Sequence, residues 1–169
     1  MAALVLKRTA LFVVIILAWA VLAAAVANST PRDIVRFEGF APGTIVVKTN
    51  ERRLYFVIDN YRALRFPVGV GRRGKKWNGV ARVEGKYVRP AWQAPPELGG
   101  GPVIPGGSPN NPMGAAALTL RGGEYAIHGT NRPQSIGGFV SSGCIRMHNS
   151  DIRELYALVQ VGTPVIVQR

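Results

Sequence analysis

Cysteine occurs once in this 169-residue chain, histidine twice, and acids are scarce, with nine Asp plus Glu against 21 Lys plus Arg. The single thiol, Cys144, excludes an intramolecular disulfide. Metal ligands are thin as well. A site built from Cys144, His128 and His148 would draw three ligands from two segments without any paired Cys-x-x-Cys or His-x-x-x-His spacing, so no metal and no cofactor are expected. Lipid attachment is excluded, because it needs a cysteine at the processing site of a leader and the only one lies near the other end.

A leader is nonetheless present in outline. Lys7 and Arg8 precede an unbroken apolar run over residues 10–27, and Ala25-Val26-Ala27 offers the small-x-small pattern that signal peptidase cleaves. The run is also about the shortest that spans a bilayer as a helix, at roughly 18 residues, so residues 1–27 read as a signal peptide or an uncleaved membrane anchor. Either way the basic flank places the remainder outside the cytoplasm, in the periplasm or cell envelope, or tethered to the outer face of the inner membrane. Residues 28–42 read as a short linker and 43–169 as one domain, since about 142 residues after the leader support one core and not two.

The shortage of acids gives a formal charge of +12, which falls to +10 without Lys7 and Arg8. Between Arg62 and Arg89 nine basic residues face one acid, Glu84. Such a stretch suits an anionic partner, and an exported chain meets wall polymers and lipid headgroups rather than nucleic acid. A solvated basic face that only aids solubility is the plain alternative.

Residues 44–48 and 53–58 are β-branched or aromatic runs around a polar turn, a hairpin signature. Residues 65–71 continue as a third strand, with shorter ones at 80–83 and 86–88. From Gln93 to Gly114 there are six Gly and six Pro, a composition that makes neither helix nor central strand and suits a lid. Strands return at 115–120 and 125–128, the latter ending on His128. A loop is expected from 129 to 143. Ile152, Leu155, Tyr156 and Val159 then recur at helical spacing, with Asn149 or Asp151 as cap and Glu154 completing a capping box on Asp151. Residues 165–167 form a last strand. The fold class is therefore mostly β, a sandwich or barrel with one C-terminal helix near the site, plus the N-terminal leader helix.

The chemistry concentrates in Ser141-Ser142-Gly143-Cys144-Ile145-Arg146-Met147-His148-Asn149. A lone exported thiol is buried filler or a nucleophile, and the Gly/Ser-rich flank favours the nucleophile. His128 can take its proton or hold a thiolate–imidazolium pair, lowering a thiol pKa otherwise near ~8.5. His148 is the rival base, four residues away, but would share a face with Cys144 only in a helix, which the flanks oppose. Ser142-Gly143-Cys144 presents backbone N–H groups for an oxyanion, and Gly143 removes an obstructing side chain. Arg146 can fork onto a substrate carboxylate, or else holds a structural salt bridge. The only acid near His128 is Glu124.

Ile127-His128-Gly129-Thr130, then Ser141 to Met147, then Asn149 and Asp151, resemble the signature of the L,D-transpeptidase (YkuD-like) catalytic domain. The likeness runs from Gly43 to Arg169 and takes in residues 66–71 and 106–114. It implies a β-rich domain that acylates Cys144 with a peptidoglycan tetrapeptide stem, releases D-alanine and passes the acyl group to an amine, in cross-linking or remodelling of the wall. It implies Cys144, His128 and Gly129 as the catalytic set, the Gly129 carbonyl orienting the base, with Ser141, Ser142, Gly143 and Arg146 lining the oxyanion and substrate site. Many members carry a histidine where Ser142 stands, which leaves His128 as the base. Two alternatives stay open: hydrolysis of the same stems by a cysteine carboxypeptidase, and a non-catalytic basic domain adhering to anionic wall polymer. A papain-like peptidase is disfavoured, since there the cysteine precedes the histidine.

Overall fold

The computed structural model describes residues 33–96, 99–122 and 125–169. The apolar run of the leader lies outside them. Among the described residues no helix is long and apolar enough to cross a membrane.

Eleven strands, one α-helix and a 3-10 turn at Pro133–Ser135 are described. The strands are β1 (Ile34–Arg36), β2 (Ile45–Lys48), β3 (Arg53–Val57), β4 (Arg62–Pro67), β5 (Val70–Gly71), β6 (Gly79–Val88), β7 (Ala116–Leu120), β8 (Ala126–His128), β9 (Phe139–Ser141), β10 (Ile145–Arg146) and β11 (Pro164–Gln168), with α1 (Asn149–Leu158) between the last two strands. The main sheet runs β1-β4-β3-β2-β11-β6-β7-β8-β10, and β5 pairs with β9 separately. Its curvature depends on β6, whose first half pairs with β11 and second half with β7, the register shifting between Val83 and Gly85. Such a bulge bends a strand and strengthens its twist. At Gly85 a Cβ would meet the Tyr87 ring at 2.7 Å and Thr119 Oγ1 at 3.0 Å, so any larger residue would displace the Tyr87 side chain. The two halves fold over one core containing Ile45, Leu54, Leu118, Ile127, Ile145, Ile152 and Leu155.

The expected hairpin is β2–β3, with Val46 opposite Tyr55. The expected third strand is instead two. Chain 62–67 pairs with β3, and after Val68 the backbone turns so that Val70 and Gly71 pair with β9. The two short strands expected at 80–88 are one bulged strand. Part of the stretch read as a linker is structured, because Ile34–Arg36 pairs with β4 and Phe37 stacks on Tyr55 at 4.3 Å between ring centroids.

Helix α1 begins earlier than expected. His148 is its N-cap and makes no side-chain capping bond, so Asp151 falls inside the first turn rather than at a capping box. Ile152 and Leu155 are fully buried, and α1 packs on β7. The described part of the Gly/Pro-rich stretch is largely irregular, with a bridge between Trp92 and Ile104. Its second half is pinned by buried Asn111, whose Nδ2 donates to the Pro90, Ile104 and Pro105 carbonyls at 2.9–3.2 Å.

Candidate active site

Strands β8 and β10 lie side by side and parallel, with Ile145 opposite Ile127 and Arg146 opposite His128. Both isoleucines are buried in the core. Because side chains alternate along a strand, Ala126, His128, Cys144 and Arg146 project to the other face. Cys144, just before β10, stands next to Ala126 and diagonal to His128 in this register. His148 is four residues along the same extended chain, about 13 Å from Cys144 at ~3.3 Å per residue, which removes it as a base for this thiol.

His128 is held on both sides. Its own carbonyl accepts from the Met147 N–H at 2.8 Å, and the next N–H, of Gly129, donates to Ala116 O at 3.0 Å. His128 is 4 % exposed, and its buried Nδ1 makes no hydrogen bond of full geometry, the Gly129 and Pro112 carbonyls being its candidate acceptors. Burial pushes its pKa down to about 4, aided by the Arg146 charge and opposed by the Gly129 and Pro112 carbonyls. The imidazole is therefore neutral near pH 7. Glu124, the one acid expected nearby, lies outside the described residues.

Cys144 is half-buried and free. The expectation of a lowered thiol pKa is overturned: burial pushes it above its ordinary 9.0, against the opposing pull of the Ala126 and Cys144 N–H groups and the Arg146 charge. At rest the pair is thiol and imidazole, not thiolate and imidazolium.

The nucleophile turn is clamped from within. Buried Ser141 donates its Oγ–H to Cys144 O at 2.6 Å and accepts from the Gly143 N–H at 3.1 Å. Ser141 is thus a brace rather than a substrate contact, and the Gly143 N–H expected in an oxyanion hole is already occupied. The N–H groups of Ala126 and Cys144, which face the sulfur, remain. Gly143 has φ +132°, and the Tyr125 ring fills the place of its missing side chain. Tyr125 stacks on Trp77 at 4.9 Å, and Trp77 Nε1 donates to Gly143 O at 3.0 Å. Glycine at 143 therefore serves aromatic packing as well as access. Ser142 is exposed.

Asn149 ties the loop after His128 to the helix. Its Oδ1 accepts from the Ala115 and Thr130 N–H groups at 3.0 and 3.1 Å, and its Nδ2 donates to Thr130 O at 3.0 Å. A Cβ on Gly114 or Gly129 would collide with that oxygen. Sequence reasoning missed this brace and the Trp77–Tyr125 clamp. The only signal for the first is a turn-forming Asn next to a helix start, which by residue order alone reads as a cap.

Arg146 is half-buried, and no ion pair with an acid involves it among the described residues. The basic stretch does not act as one face. Arg62 and Arg65 pair with Asp59 and Asp33 at 2.7 and 2.9 Å, and Arg82 and Lys86 donate to backbone carbonyls. Arg72, Arg73 and Lys75 stay exposed beside the nucleophile turn, where the Arg72 N–H donates to Ser141 O at 3.0 Å. Among the described residues no group of three or more His, Cys, Asp or Glu is placed to hold a metal.

A model of the L,D-transpeptidase catalytic domain matches residues 42–167. The chain belongs to that family. Among its relatives, the Escherichia coli protein named "Probable L,D-transpeptidase ErfK/SrfK" is 40% identical over 132 residues, covering 72% of this chain and 42% of that protein. "Probable L,D-transpeptidase YcfS" from the same species is 35% identical over 142 residues, again covering 72% and 42%. This L,D-transpeptidase domain thus spans less than half the length of the curated relatives it matches. Of solved structures, L,D-transpeptidase 3 of Mycobacterium tuberculosis superposes with a TM-score of 0.61 at 18% identity, over 75% of this chain and 60% of that one. The catalytic domain of the Enterococcus faecium L,D-transpeptidase gives 0.58 at 21%, over 74% and 95%. At such identities the likeness is one of fold.

Proposed function

We propose that this domain is an exported cysteine acyltransferase of the bacterial envelope that takes a peptidoglycan tetrapeptide stem as acyl donor. The observation that carries the reading is the placement of Cys144 and His128 on one face of adjacent parallel strands, with Arg146 beside both. Neutral His128 takes the thiol proton as sulfur attacks the carbonyl before the terminal D-alanine. The Ala126 and Cys144 N–H groups that face the sulfur are donors for the oxyanion. An imidazolium buried where its pKa is about 4 is a strong acid, so it returns the proton to the departing amine nitrogen as the C–N bond breaks. A thioester and free D-alanine result. An acceptor amine then attacks the thioester, loses its proton through His128, and regenerates the thiol.

Arg146, half-buried and without an acidic partner among the described residues, suits a substrate carboxylate. Arg72, Arg73 and Lys75 supply the face for anionic wall polymer. The basic flank of the leader supports a location outside the cytoplasm, in the periplasm or at the outer face of the inner membrane.

The test is mass spectrometry of the protein incubated with purified muropeptides. D-alanine release and an adduct on Cys144 equal to the acyl stem are expected, followed by transfer to an amine. Absence of any adduct from pH 5 to pH 9 would end the thioester mechanism, while transfer to water alone would make the enzyme a carboxypeptidase.

A further inference from the structure

Next to the loop that follows His128 lies a cavity of about 330 Å3, within the size range of small-ligand sites. Arg89, Ser108, Asn111, Thr130, Asn131 and Asn149 supply its polar wall, and among the described residues no Asp or Glu lines it. The two central amides are already satisfied. Asn149 makes the three bonds described above, and Asn111 donates to three carbonyls while its Oδ1 accepts from the Met113 N–H at 2.9 Å. What stays open is donor-rich. The Thr130 and Ser108 oxygens accept from the Arg132 and Asn110 N–H groups at 3.0 and 3.3 Å, which leaves each hydroxyl hydrogen to donate. Asn131 Nδ2 holds Pro109 O at 3.3 Å and keeps a second hydrogen, with Oδ1 as its acceptor.

Arg89 adds the charge. It forms no ion pair with an acid among the described residues, and its φ of +45° is a conformation that non-glycine residues hold only where the surroundings enforce it. Here they do. The Arg89 N–H bonds Ala115 O at 3.0 Å, its carbonyl presses on Gly106 where no Cβ would fit, and its side chain lies along Gly107. An exposed arginine on a wall of hydroxyl donors, with no carboxylate among the described residues, is complementary to a carboxylate and repels a cation.

We propose that this cavity is a carboxylate subsite for the wall peptide, with Arg89 as its anion-binding residue. The proposal rests on the stem-peptide reading above. Thr130 in the cavity wall is two residues beyond His128, about 7 Å of extended chain, so the cavity adjoins the base; a C-terminal carboxylate lies about 4 Å past the attacked carbonyl, and carboxylates further up the stem reach about 7–10 Å.

Titration calorimetry on the Cys144→Ser protein, with a synthetic stem tetrapeptide ending in D-alanine and with its C-terminal amide, provides the test. Adding Arg89→Gln is expected to weaken binding of the free acid about tenfold. If the C-terminal carboxylate occupies the cavity, the amide binds as weakly as the acid does to the Arg89→Gln protein, and Arg89→Gln then changes nothing further. If a side-chain carboxylate does, acid and amide lose equally on Arg89→Gln. Unchanged affinity of both peptides in Arg89→Gln would overturn the subsite while leaving the acyltransferase intact. No binding to Cys144→Ser at all would overturn the stem-peptide reading and the subsite with it.

Discussion

Two clusters of ionisable groups in this domain sit against apolar surroundings and are treated in opposite ways. In the first, Tyr55 donates its hydroxyl to Glu51 at 2.6 Å, Lys48 reaches Glu51 at 3.2 Å, and the same ammonium lies 5.3 and 5.6 Å above the Phe37 and Tyr55 rings. Each charge has a partner, and the glutamate pKa falls, chiefly through the Tyr55 hydrogen bond. In the second, burial lowers the His128 pKa against the opposing Gly129 and Pro112 carbonyls, burial raises that of Cys144, and Arg146 has no acidic partner among the described residues. One cluster thus pairs its charges with one another, while the other keeps its imidazole and thiol neutral by burial.

The contrast breaks most sharply at His128. His128→Gln should slow formation of the Cys144 acyl adduct by about 10²–10⁴-fold, the usual size of a general-base contribution, without loss of folding stability at pH 5. An adduct forming at the original rate would move the base elsewhere. The same ring governs acid sensitivity. Its folded pKa of about 4 lies below the ordinary 6.5, so the unfolded chain binds the extra proton first, and stability is lost as pH falls from about 6.5 toward 4. A full shift of that size is on the order of 3 kcal/mol. Lowered carboxylates such as Glu51 act only below their ordinary 4.5, so the upper part of that limb belongs to His128. Denaturant titrations at pH 6.5 and pH 5 should show a loss that the His128→Gln protein lacks. At the other end, Cys144 has a raised pKa, so its contribution disappears as pH climbs past 9.0, and Cys144→Ala should flatten that limb.

How much of this was legible from residue order differs by region, for physical reasons. The β2–β3 hairpin and α1 announce themselves because local patterning and local structure agree: two apolar runs around a polar turn, and an apolar stripe at helical spacing. The order of His128 and Cys144 in the chain already implied two elements meeting across a loop. Strands β1, β9 and β10 are two or three residues long, too short to carry a period, and exist only through partners elsewhere in the chain. Burial was the other hidden quantity. Nothing in Ser-Ser-Gly-Cys reveals that Ser141 turns inward to occupy the Gly143 N–H, or that the thiol is desolvated enough to invert the expected pKa shift.

Asn149 tests whether the neutral cluster depends on the hydrogen bonds behind it. Asn149→Ala removes all three of its bonds and leaves the Ala115 and Thr130 N–H groups and the Thr130 carbonyl unmet in a half-buried place, which should cost about 2 kcal/mol. Because those bonds fix the chain next to Gly129, acylation should also slow at pH 7. Asn149→Asp keeps the acceptor for both N–H groups but not the donor, and should recover most of the stability. Equal losses in the two variants would mean that the Thr130 carbonyl contact alone matters.

The smallest effect is expected in the paired cluster. Glu51→Gln removes a charge but keeps an oxygen to accept from the Tyr55 hydroxyl, and the group is largely exposed, so solvent screens most of what the charge contributes. The loss should stay below about 1 kcal/mol and shrink further in high salt, with turnover unchanged. Tyr55 supplies a local readout. Its pKa is pushed up to about 12 first by burial and then by the Glu51 bond and charge, so the variant should titrate lower yet still above 10.0, since burial persists. A loss well beyond 1 kcal/mol, or a change in the rate of Cys144 acylation, would show that the two clusters are coupled through the sheet and that the division between a paired structural face and a neutral chemical one is wrong.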